Sequence, residues 1–500
     1  MPRLACALVF ALAGCSSLPS DAQRPPSSAL ADTAATRLGH AIAPAAAQNS
    51  GKSGIHPLAD GRDAFAARVL LARAAEKSLD VQYYILRADV TGGLFCEALW
   101  QAAERGVRVR LLLDDTGTRG LDAQLAALDA HPNIEVRLFN PYANRSFRLG
   151  EMVTDFSRIN RRMHNKSFTA DNQATIVGGR NVGDEYFGAE SDVAFADLDV
   201  LATGAAVREV SADFDRYWSS PSAVPAAALI GPAAPESAER IRAAWTKLNA
   251  DPAAARYVEA LRSTPLVQDL IGGTLALDWA PARLVSDSPA KVLNPPERKD
   301  LHLLAQLDAA IGKPARELDL VSPYFVPTEE GTAALVGLAK RGIKVRVLTN
   351  SLAATDVSVV HAGYAKYREE LVRGGVRLYE LKPVLQQKDR ERMGGSDASL
   401  HAKTFAVDRS RIFVGSFNFD PRSARLNTEM GLVVESPALA SRLSDALDRD
   451  LARNAYEVRL SGGDLVWIDG NARLDSEPGT GVFKRLWIGF LSILPIEWLL

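Results

Sequence analysis

The chain has 500 residues, which is enough for two to four domains with a large apolar core. Hydrophobic residues make up 47% and charged residues 24%, a composition that excludes a largely disordered or fibrous protein. With a net charge of −2, no global basic field attracts nucleic acid, although a local basic patch could still bind it.

Residues 1–14 are predicted to be the signal peptide of a lipoprotein. Arg3 gives a positive start, and the apolar run over 4–14 is too short to span a bilayer. The run ends in Leu-Ala-Gly before Cys15, which resembles the lipobox of bacterial lipoproteins and implies lipidation of that cysteine. Serines follow it, so we expect an outer-membrane lipoprotein facing the periplasm of a Gram-negative bacterium. A plain secretory signal is the alternative.

Residues 15–56 are predicted to be a flexible tether, because they are rich in Ser, Ala, Pro and Gly and lack apolar periodicity. Once Cys6 is removed with the signal and Cys15 is acylated, Cys96 is the remaining cysteine, so no internal disulfide is expected. Cys96 falls on the apolar face of a predicted helix and should be a buried structural residue.

Strands and helices alternate along the body, and the same plan occurs twice. A strand, a helix and two further strands are predicted over 79–85, 93–105, 107–113 and 134–139, and again over 318–326, 331–340, 343–348 and 375–381. Strands alternating with helices favour a sheet covered by helices on both faces. We therefore predict an α/β (mixed α+β) fold of two pseudo-symmetric lobes, residues 57–232 and 291–460, each a mainly mixed sheet flanked by helices.

Two further segments complete the predicted organisation. Residues 233–290 are predicted to be a helical connector, and 461–500 a C-terminal tail. The end of the tail, 486–500, is apolar but too short to span a bilayer, and Trp487 and Trp498 suit a membrane interface. A terminal helix packed into the core is the alternative.

The most informative feature is a repeated block of polar residues. His164, Lys166 and Asp171 return 237 residues later as His401, Lys403 and Asp408. The small residues and the amide that follow the first copy recur in the same register after the second: Gly178, Gly179 and Asn181, then Gly415, Ser416 and Asn418. The repeat predicts one active site built from two related halves.

Each residue type in the block indicates a part of phosphodiester chemistry. Alternate residues of a strand share a side, so each His projects with its Lys. One imidazole can attack phosphorus while the other protonates the leaving oxygen and later deprotonates the acceptor. The two ammonium groups can neutralise the phosphoryl oxygens. The remaining histidines lack ligand spacing, so we expect no metal and no other cofactor.

The other polar residues are given supporting roles. Asp171 and Asp408 come where each strand turns, so they should tie the loop or pair with a Lys or Arg rather than contact substrate. Small turns and amides can approach an anion closely, which makes substrate-binding candidates of Gly179, Asn181, Ser416 and Asn418.

An imidazole that reacts at one ring nitrogen needs a hydrogen-bond partner at the other nitrogen, which fixes its orientation. We choose Asp197 as the partner of His164, with Asp199 as a rival, and Glu429 as the partner of His401. The alternative for these carboxylates is a surface position on a strand. The candidate catalytic set is then His164, Lys166, Asp171, His401, Lys403, Asp408, Asp197 and Glu429.

The duplicated His-x-Lys-x4-Asp with its Gly-Gly or Gly-Ser and Asn resembles the phospholipase D superfamily over about residues 60–460. That resemblance implies a phospholipase D-like fold and a covalent phosphohistidine, with His164 as nucleophile and His401 as general acid. Three local strings are similar to the bacterial cardiolipin synthases, in particular their C type: 158–168, 178–187 and 322–331. The terminal Leu-Pro-Ile-Glu-Trp-Leu-Leu is similar as well.

The resemblance implies a phosphatidyltransferase that makes cardiolipin from phosphatidylglycerol and a second phospholipid, phosphatidylethanolamine or phosphatidylglycerol. Three alternatives stay open: a hydrolytic phospholipase D that releases phosphatidic acid, a periplasmic nuclease, and a lipid-binding lipoprotein with a disused site. The expected partners are phospholipids and a membrane, without nucleic acid. Whether an accessory protein is needed is left open.

Overall fold

The structure is a computed structural model that describes residues 18, 24–145, 147–189, 193–272, 274–383 and 397–492. The predicted signal peptide, the predicted lipidation site Cys15 and the end of the predicted tail, including Trp498, lie outside the described residues. Cys96 lies within them and is buried and free, as predicted, in the third helix.

Strands occur throughout both halves of the chain. The first ten along the chain are β1 (Ser53–Leu58), β2 (Ser78–Ile85), β3 (Arg108–Gly117), β4 (Ile134–Phe139), β5 (Ser167–Ala170), β6 (Ala174–Gly178), β7 (Val193–Ala196), β8 (Asp199–Gly204), β9 (Ala223–Pro225) and β10 (Asp278–Ala280). The others are β11 (Ala282–Ser286), β12 (Glu317–Val321), β13 (Lys344–Asn350), β14 (Arg377–Leu381), β15 (Asp397–Leu400), β16 (Lys403–Val407), β17 (Arg411–Gly415), β18 (Met430–Val434), β19 (Ala455–Ser461), β20 (Asp464–Asp469) and β21 (Ala472–Leu474).

Helices connect these strands. Those before the second lobe are α1 (Arg37–Gln48), α2 (Gly61–Ala74), α3 (Val90–Glu104), α4 (Asp122–Asp129), α5 (Arg148–Thr154), α6 (Phe156–Ile159), α7 (Asp184–Phe187), α8 (Ala205–Trp218), α9 (Ala227–Ile230), α10 (Ser237–Ala250), α11 (Pro252–Arg262) and α12 (Pro265–Gly272). The others are α13 (Leu304–Ile311), α14 (Thr328–Lys340), α15 (Ser358–Ala365), α16 (Arg368–Arg373), α17 (Pro421–Arg425), α18 (Pro437–Asn454) and α19 (Val482–Ser492).

Each lobe is built on one mixed sheet. The strand order is β10-β1-β8-β6-β5-β2-β3-β4-β9 in the first lobe and β11-β18-β17-β16-β12-β13-β14-β19-β20-β21 in the second. In each sheet three neighbouring strands are parallel (β2, β3 and β4; β12, β13 and β14), and the other pairs are antiparallel. This arrangement confirms the predicted pair of related α/β lobes.

The two sheets pack against each other. Apolar side chains of β1, β6, β8 and α8 meet those of β16, β17, β18 and α18 in one shared core. The outer face of the first sheet packs on α2, α3 and α4, and that of the second sheet packs on α14 and α16. Burial of apolar surface on both faces fixes the relative position of the lobes, and hence of the two motifs.

The prediction of a flexible tether over 15–56 is wrong for the part that the structure describes. The hydroxyl of Thr36 caps α1 by accepting from the Gly39 N–H at 3.1 Å. Strand β1 then pairs with both β8 and β10 inside the first sheet. Ladder hydrogen bonds come from the backbone, so a short strand rich in Gly, Ser and Pro can be fixed without an apolar pattern.

The predicted connector and tail also contribute to the sheets. Helices α10 to α12 lie in the connector, but its end contains β10 and β11, which join the first and the second sheet respectively. Residues 461–500 were expected to be only a tail, yet they supply β20 and β21, and Ile488 of α19 is buried against Leu352 and Ala362. Within the described residues, none of the helices combines the length and apolar character that a membrane span needs.

Asp171 and Asp408 tie loops, as predicted, and do not contact the His or Lys of either motif. Asp171 accepts from the backbone N–H groups of Glu76 (3.0 Å), Lys77 (2.7 Å) and Ser78 (2.9 Å), which lead into β2. Asp408 accepts from three corresponding N–H groups that lead into β12: Ala315, Arg316 and Glu317. Although burial opposes it, these donors lower the pKa of Asp408.

Replacing Asp171 by Ala is expected to destabilise the fold by about 3 kcal/mol, because one buried and two partly buried N–H donors lose the buried carboxylate that accepts from them. Urea denaturation of the wild type and the variant measures the difference. The matched control is Asp408→Ala, which should cost less because Asp408 is partly exposed and water can replace it. An Asp171→Ala protein of wild-type stability would contradict this role.

Candidate active site

The two motifs meet where the lobes join. The Met163 backbone pairs with that of Thr428, and β7 of the first lobe forms a small parallel sheet with β15 of the second. The His164 N–H donates to the Thr428 carbonyl at 2.9 Å, and the His401 N–H donates to the Ala196 carbonyl at 2.9 Å. The His of each motif is therefore anchored by its backbone to the opposite lobe.

The predicted pairing of carboxylates with imidazoles is wrong, because each acid reaches across to the other lobe. The Nδ1 of His164 lies 2.8 Å from Oε2 of Glu429, and the Nδ1 of His401 lies 2.6 Å from Oδ2 of Asp197. Asp197 follows β7 and Glu429 precedes β18, at the backbone crossings between the lobes. Asp199, the rival candidate, is instead buried in an ion pair with Arg68 at 2.8 Å.

The two lysines are buried beside the histidines. Lys166 Nζ donates to the His164 carbonyl at 2.6 Å and lies 5.6 Å from the centre of the Tyr84 ring. Lys403 Nζ lies 2.8 Å from Nδ1 and 3.1 Å from Nε2 of His401, and it also contacts the His401 carbonyl. Strands β5 and β16 begin at Ser167 and Lys403, so each His lies just before its strand and not within it as predicted.

The pKa shifts show that the two His/Lys pairs share one electrostatic environment. Burial, together with both Lys166 and Lys403, lowers the pKa of His164. Burial and Lys403 lower the pKa of His401 to about 4, with Lys166 contributing and Asp197 opposing. Burial also lowers the pKa of Lys166 strongly and that of Lys403 to about 8. A phosphodiester anion placed among these groups would favour their protonated forms.

The two carboxylates differ in charge. Burial acts to raise the pKa of Asp197, but His401 and Lys403 outweigh it and hold that pKa well below its usual range. Burial raises the pKa of Glu429 to about 7, although Lys166 opposes the rise. His401 is therefore paired with a permanently ionised acid, whereas His164 is paired with one that changes charge near neutral pH.

Two of the predicted substrate-binding residues lie against the carboxylates. A Cβ at Gly179 would lie 2.2 Å from Oδ1 of Asp197, so only glycine allows that approach. Ser416 occupies the equivalent place in the second lobe, and its hydroxyl donates to Oε2 of Glu429 at 2.5 Å. Both residues therefore position the acids that hold the imidazoles.

The two asparagines have different surroundings. Asn181 accepts from the Ile85 N–H at 3.2 Å and donates to the Tyr186 hydroxyl at 2.9 Å, so its amide is already engaged. The Oδ1 of Asn418 is buried and has no hydrogen-bond partner among the residues that the structure describes. Asn418 is thus the better placed of the two to bind substrate, which stays a prediction.

Sequence reasoning missed several residues that surround the histidines. The Tyr84 ring meets His164 edge-on at 5.0 Å, and the Tyr186 ring meets His401 at 5.1 Å. The Ser423 hydroxyl donates to Oε1 of Glu429 at 2.8 Å. Tyr84 lies next to the last residue of a strand that the sequence does predict, but no spacing rule connects Tyr84, Tyr186 or Ser423 to the motifs.

Comparisons with known proteins identify the family. A family model described as "Cardiolipin synthase, PLD-like domain" matches residues 70–218 and 307–451, which contain both motifs. The chain is 49% identical to cardiolipin synthase C of Escherichia coli (strain K12) over 475 residues, which cover 93% of this chain and 100% of that protein. It is 27% identical to cardiolipin synthase A of Pseudomonas aeruginosa (strain LESB58), covering 79% of this chain and 66% of that protein.

Among solved structures, the phosphatidylserine synthase of Haemophilus influenzae Rd KW20 is similar, with a TM-score of 0.53. It is 15% identical, and the match covers 83% of this chain and 91% of that one, so the likeness concerns the fold. The family model and the extended identity agree with the paired motifs at the junction of the lobes. The chain belongs to the cardiolipin synthase family of the phospholipase D superfamily.

Proposed function

We propose that this protein is a phosphatidyltransferase that makes cardiolipin from phosphatidylglycerol and a second phospholipid through a phosphohistidine. The observation that carries the proposal is the crossed pairing: each imidazole is held at Nδ1 by a carboxylate of the opposite lobe. Held in this way, each ring presents Nε2 for chemistry beside two ammonium groups. The similarity to cardiolipin synthase C supports the choice of substrates.

In the first step His164 is the nucleophile. Its Nδ1–H donates to Glu429, which leaves the Nε2 lone pair free to attack phosphorus. A P–N bond forms and the P–O bond to the donor headgroup breaks, while His401 gives its Nε2 proton to the departing oxygen. Ionised Asp197 stabilises the imidazolium of His401 before that transfer. Lys166 and Lys403 stabilise the charge on the phosphoryl oxygens.

In the second step His401 acts as a base. It takes the proton from a glycerol hydroxyl of phosphatidylglycerol, whose oxygen attacks phosphorus and breaks the P–N bond. Cardiolipin forms, and both imidazoles return to their starting states. Because the His164 and His401 side chains are only 9% and 7% exposed, the intermediate is shielded from bulk water, which favours transfer over hydrolysis.

A lipid product assay tests the proposal. Purified protein in detergent is supplied with phosphatidylglycerol alone, with phosphatidylethanolamine alone and with both, and the products are identified by mass spectrometry. We expect cardiolipin whenever phosphatidylglycerol is present. Phosphatidic acid as the only product would favour hydrolysis instead, and DNA cleavage lost on His164→Ala would favour a nuclease.

The proposed location is the periplasmic face of the outer membrane, with Cys15 as lipid anchor. Replacing Cys15 by Ser should abolish palmitate labelling and weaken the retention of the chain in membrane fractions, because the acylated thiol is absent. Palmitate labelling and fractionation of the wild type and the variant measure both effects. Equal labelling of the two proteins would contradict the lipoprotein proposal.

The charge states predict a bell-shaped dependence of kcat on pH, since in the substrate complex the bound phosphodiester keeps His401 protonated. Glu429 has a pKa raised to about 7, so activity should rise with pH as it ionises and fixes the tautomer of His164. Lys403 has a pKa lowered to about 8, so activity should fall at higher pH as its charge is lost. Glu429→Gln should remove the acid limb and keep the alkaline one. An unchanged acid limb in that variant would assign it to another group.

A further inference from the structure

Most of the exposed large hydrophobic side chains that the structure describes lie in two short stretches. The first stretch is the start and body of α5, where Leu149 is 76% and Val153 85% exposed. The second stretch is α19, where Phe483 is 90% and Leu486 66% exposed, and where Trp487 stacks on Phe490 at 5.7 Å. Contiguous exposed apolar surface on a folded protein indicates an interaction site.

The first stretch is attached to the strand end that positions His164. Arg148 of α5 donates to the Asp115 carbonyl at 3.0 Å, and Asp115 lies near the end of β3. The preceding residue, Asp114, accepts from the N–H of Met163 at 2.8 Å, and Met163 directly precedes His164.

The second stretch is attached to the corresponding strand end in the other lobe. Ile488 of α19 packs on Leu352, which follows the end of β13. Asn350, the last residue of β13, donates to the Leu400 carbonyl at 3.0 Å, and Leu400 directly precedes His401. The two apolar stretches therefore lie at pseudo-equivalent places, one on each lobe. Each contacts the end of a strand whose residues hydrogen-bond the backbone directly before a motif histidine.

The second stretch is also locally basic in a chain whose net charge is −2, because 482–492 contain Lys484 and Arg485 and no acidic residue. Around the first stretch, most arginines of 145–162 are ion-paired with carboxylates, so that stretch is mainly apolar. Aromatic and aliphatic side chains beside basic ones suit the boundary between anionic headgroups and acyl chains. A soluble acidic partner would not account for the 90% exposed phenylalanine among them.

We propose that α5 and α19 together dock the protein on a phospholipid bilayer that contains anionic lipid, with the junction of the lobes facing the membrane. The inference rests on the proposed function, because a lipid phosphate has to reach two histidines that are almost fully buried. Insertion of both helices brings headgroups to the site from either side. The docking surface is distinct from the N-terminal anchor, which only keeps the chain near the membrane.

Spin labels test the docking directly. Leu149→Cys and Phe483→Cys are each labelled in the full chain with Cys6 and Cys15 replaced by Ser, and collision with oxygen and with a polar nickel complex is measured on vesicles of phosphatidylglycerol and phosphatidylethanolamine. Cys96 is buried and burial raises the pKa of its thiol to about 12, so it should not react. The matched control is Leu270→Cys, an exposed leucine of α12.

We expect both labels to move into the apolar region on vesicles and the control label to stay in water. Spin labels that stay in water at both positions in the presence of vesicles would overturn the proposal. So would probes that become immobilised without lipid while the protein dimerises, because the occupant would then be a second copy of the chain.

The ratio of transfer rates on vesicles and on a monomeric lipid separates an effect on docking from an effect on the chemical step. Val153→Asp and Phe483→Asp should each lower transfer on vesicles by at least tenfold, but change transfer on a monomeric short-chain phosphatidylglycerol by less than twofold. Leu270→Asp should change neither rate. Equal losses on both substrates would overturn the docking role. A wild-type chain whose probes enter the bilayer but which makes no cardiolipin would instead contradict the proposed function.

Discussion

Replacing His164 by Asn is expected to lower the rate of cardiolipin formation by at least about 10³-fold, because the covalent route is lost with the nucleophile. Asparagine keeps a polar side chain at this buried place but cannot form the phosphohistidine. The rate is measured with phosphatidylglycerol as donor and acceptor. Urea denaturation of the same variant shows whether the fold survives the change.

A donor with a good leaving group distinguishes the two histidines. Phosphatidyl-p-nitrophenol needs no protonation of its departing oxygen, so His401→Asn should still release a burst of nitrophenolate as the intermediate forms. His164→Asn should release none. A burst that survives in the His164 variant and vanishes in the His401 variant would reverse the two roles.

Replacing Asp197 by Asn is expected to lower transfer from natural lipids by about 10² to 10³-fold, because general acid catalysis by His401 depends on the carboxylate that holds it. Asp197 is the acid whose pKa lies well below its usual range, so the variant removes a full charge at every working pH. The rate with phosphatidylglycerol as the substrate measures the effect.

The crossed pairing also predicts how the Asp197→Asn variant behaves with the nitrophenyl donor. With phosphatidyl-p-nitrophenol, Asp197→Asn should leave the burst nearly unchanged, whereas Glu429→Gln should slow it, because Glu429 and not Asp197 holds His164. In addition, Asp197→Asn should have little further effect in a His401→Asn background. A slow burst in Asp197→Asn with a normal one in Glu429→Gln would show that each acid serves the His of its own lobe.

The sequence contained enough information to predict the elements that carry the site. Repeated runs rich in β-branched, leucine and aromatic residues predicted β2, β3 and β4 and their counterparts β12, β13 and β14, because such residues favour strands. The motif spacing predicted a shared site, and the turn positions of Asp171 and Asp408 predicted that they tie loops. These features depend on the order of residue types within short segments, which can be recognised in a single sequence.

Other features depend on the contact between the lobes and could not be predicted. Asp197 follows the first motif closely in the sequence, so His164 was the expected partner. However, the strand before Asp197 pairs with a strand of the other lobe, and this brings the carboxylate to His401. Glu429 occupies the related place in the second lobe and makes the opposite crossing. Strands β1, β10, β11, β20 and β21 lie at or next to the ends of the sheets and are only three to six residues long, which is why their segments were predicted to be tether, connector and tail.

The most direct measurement is the mass of the trapped intermediate. His401→Asn protein is mixed with phosphatidyl-p-nitrophenol, quenched in alkali to preserve a phosphoramidate, digested and analysed by mass spectrometry. We expect a phosphatidyl or deacylated phosphoryl adduct on the peptide that contains His164, and none on the peptide that contains residue 401. Turnover without an adduct on His164, or an adduct on another residue, would contradict this expectation.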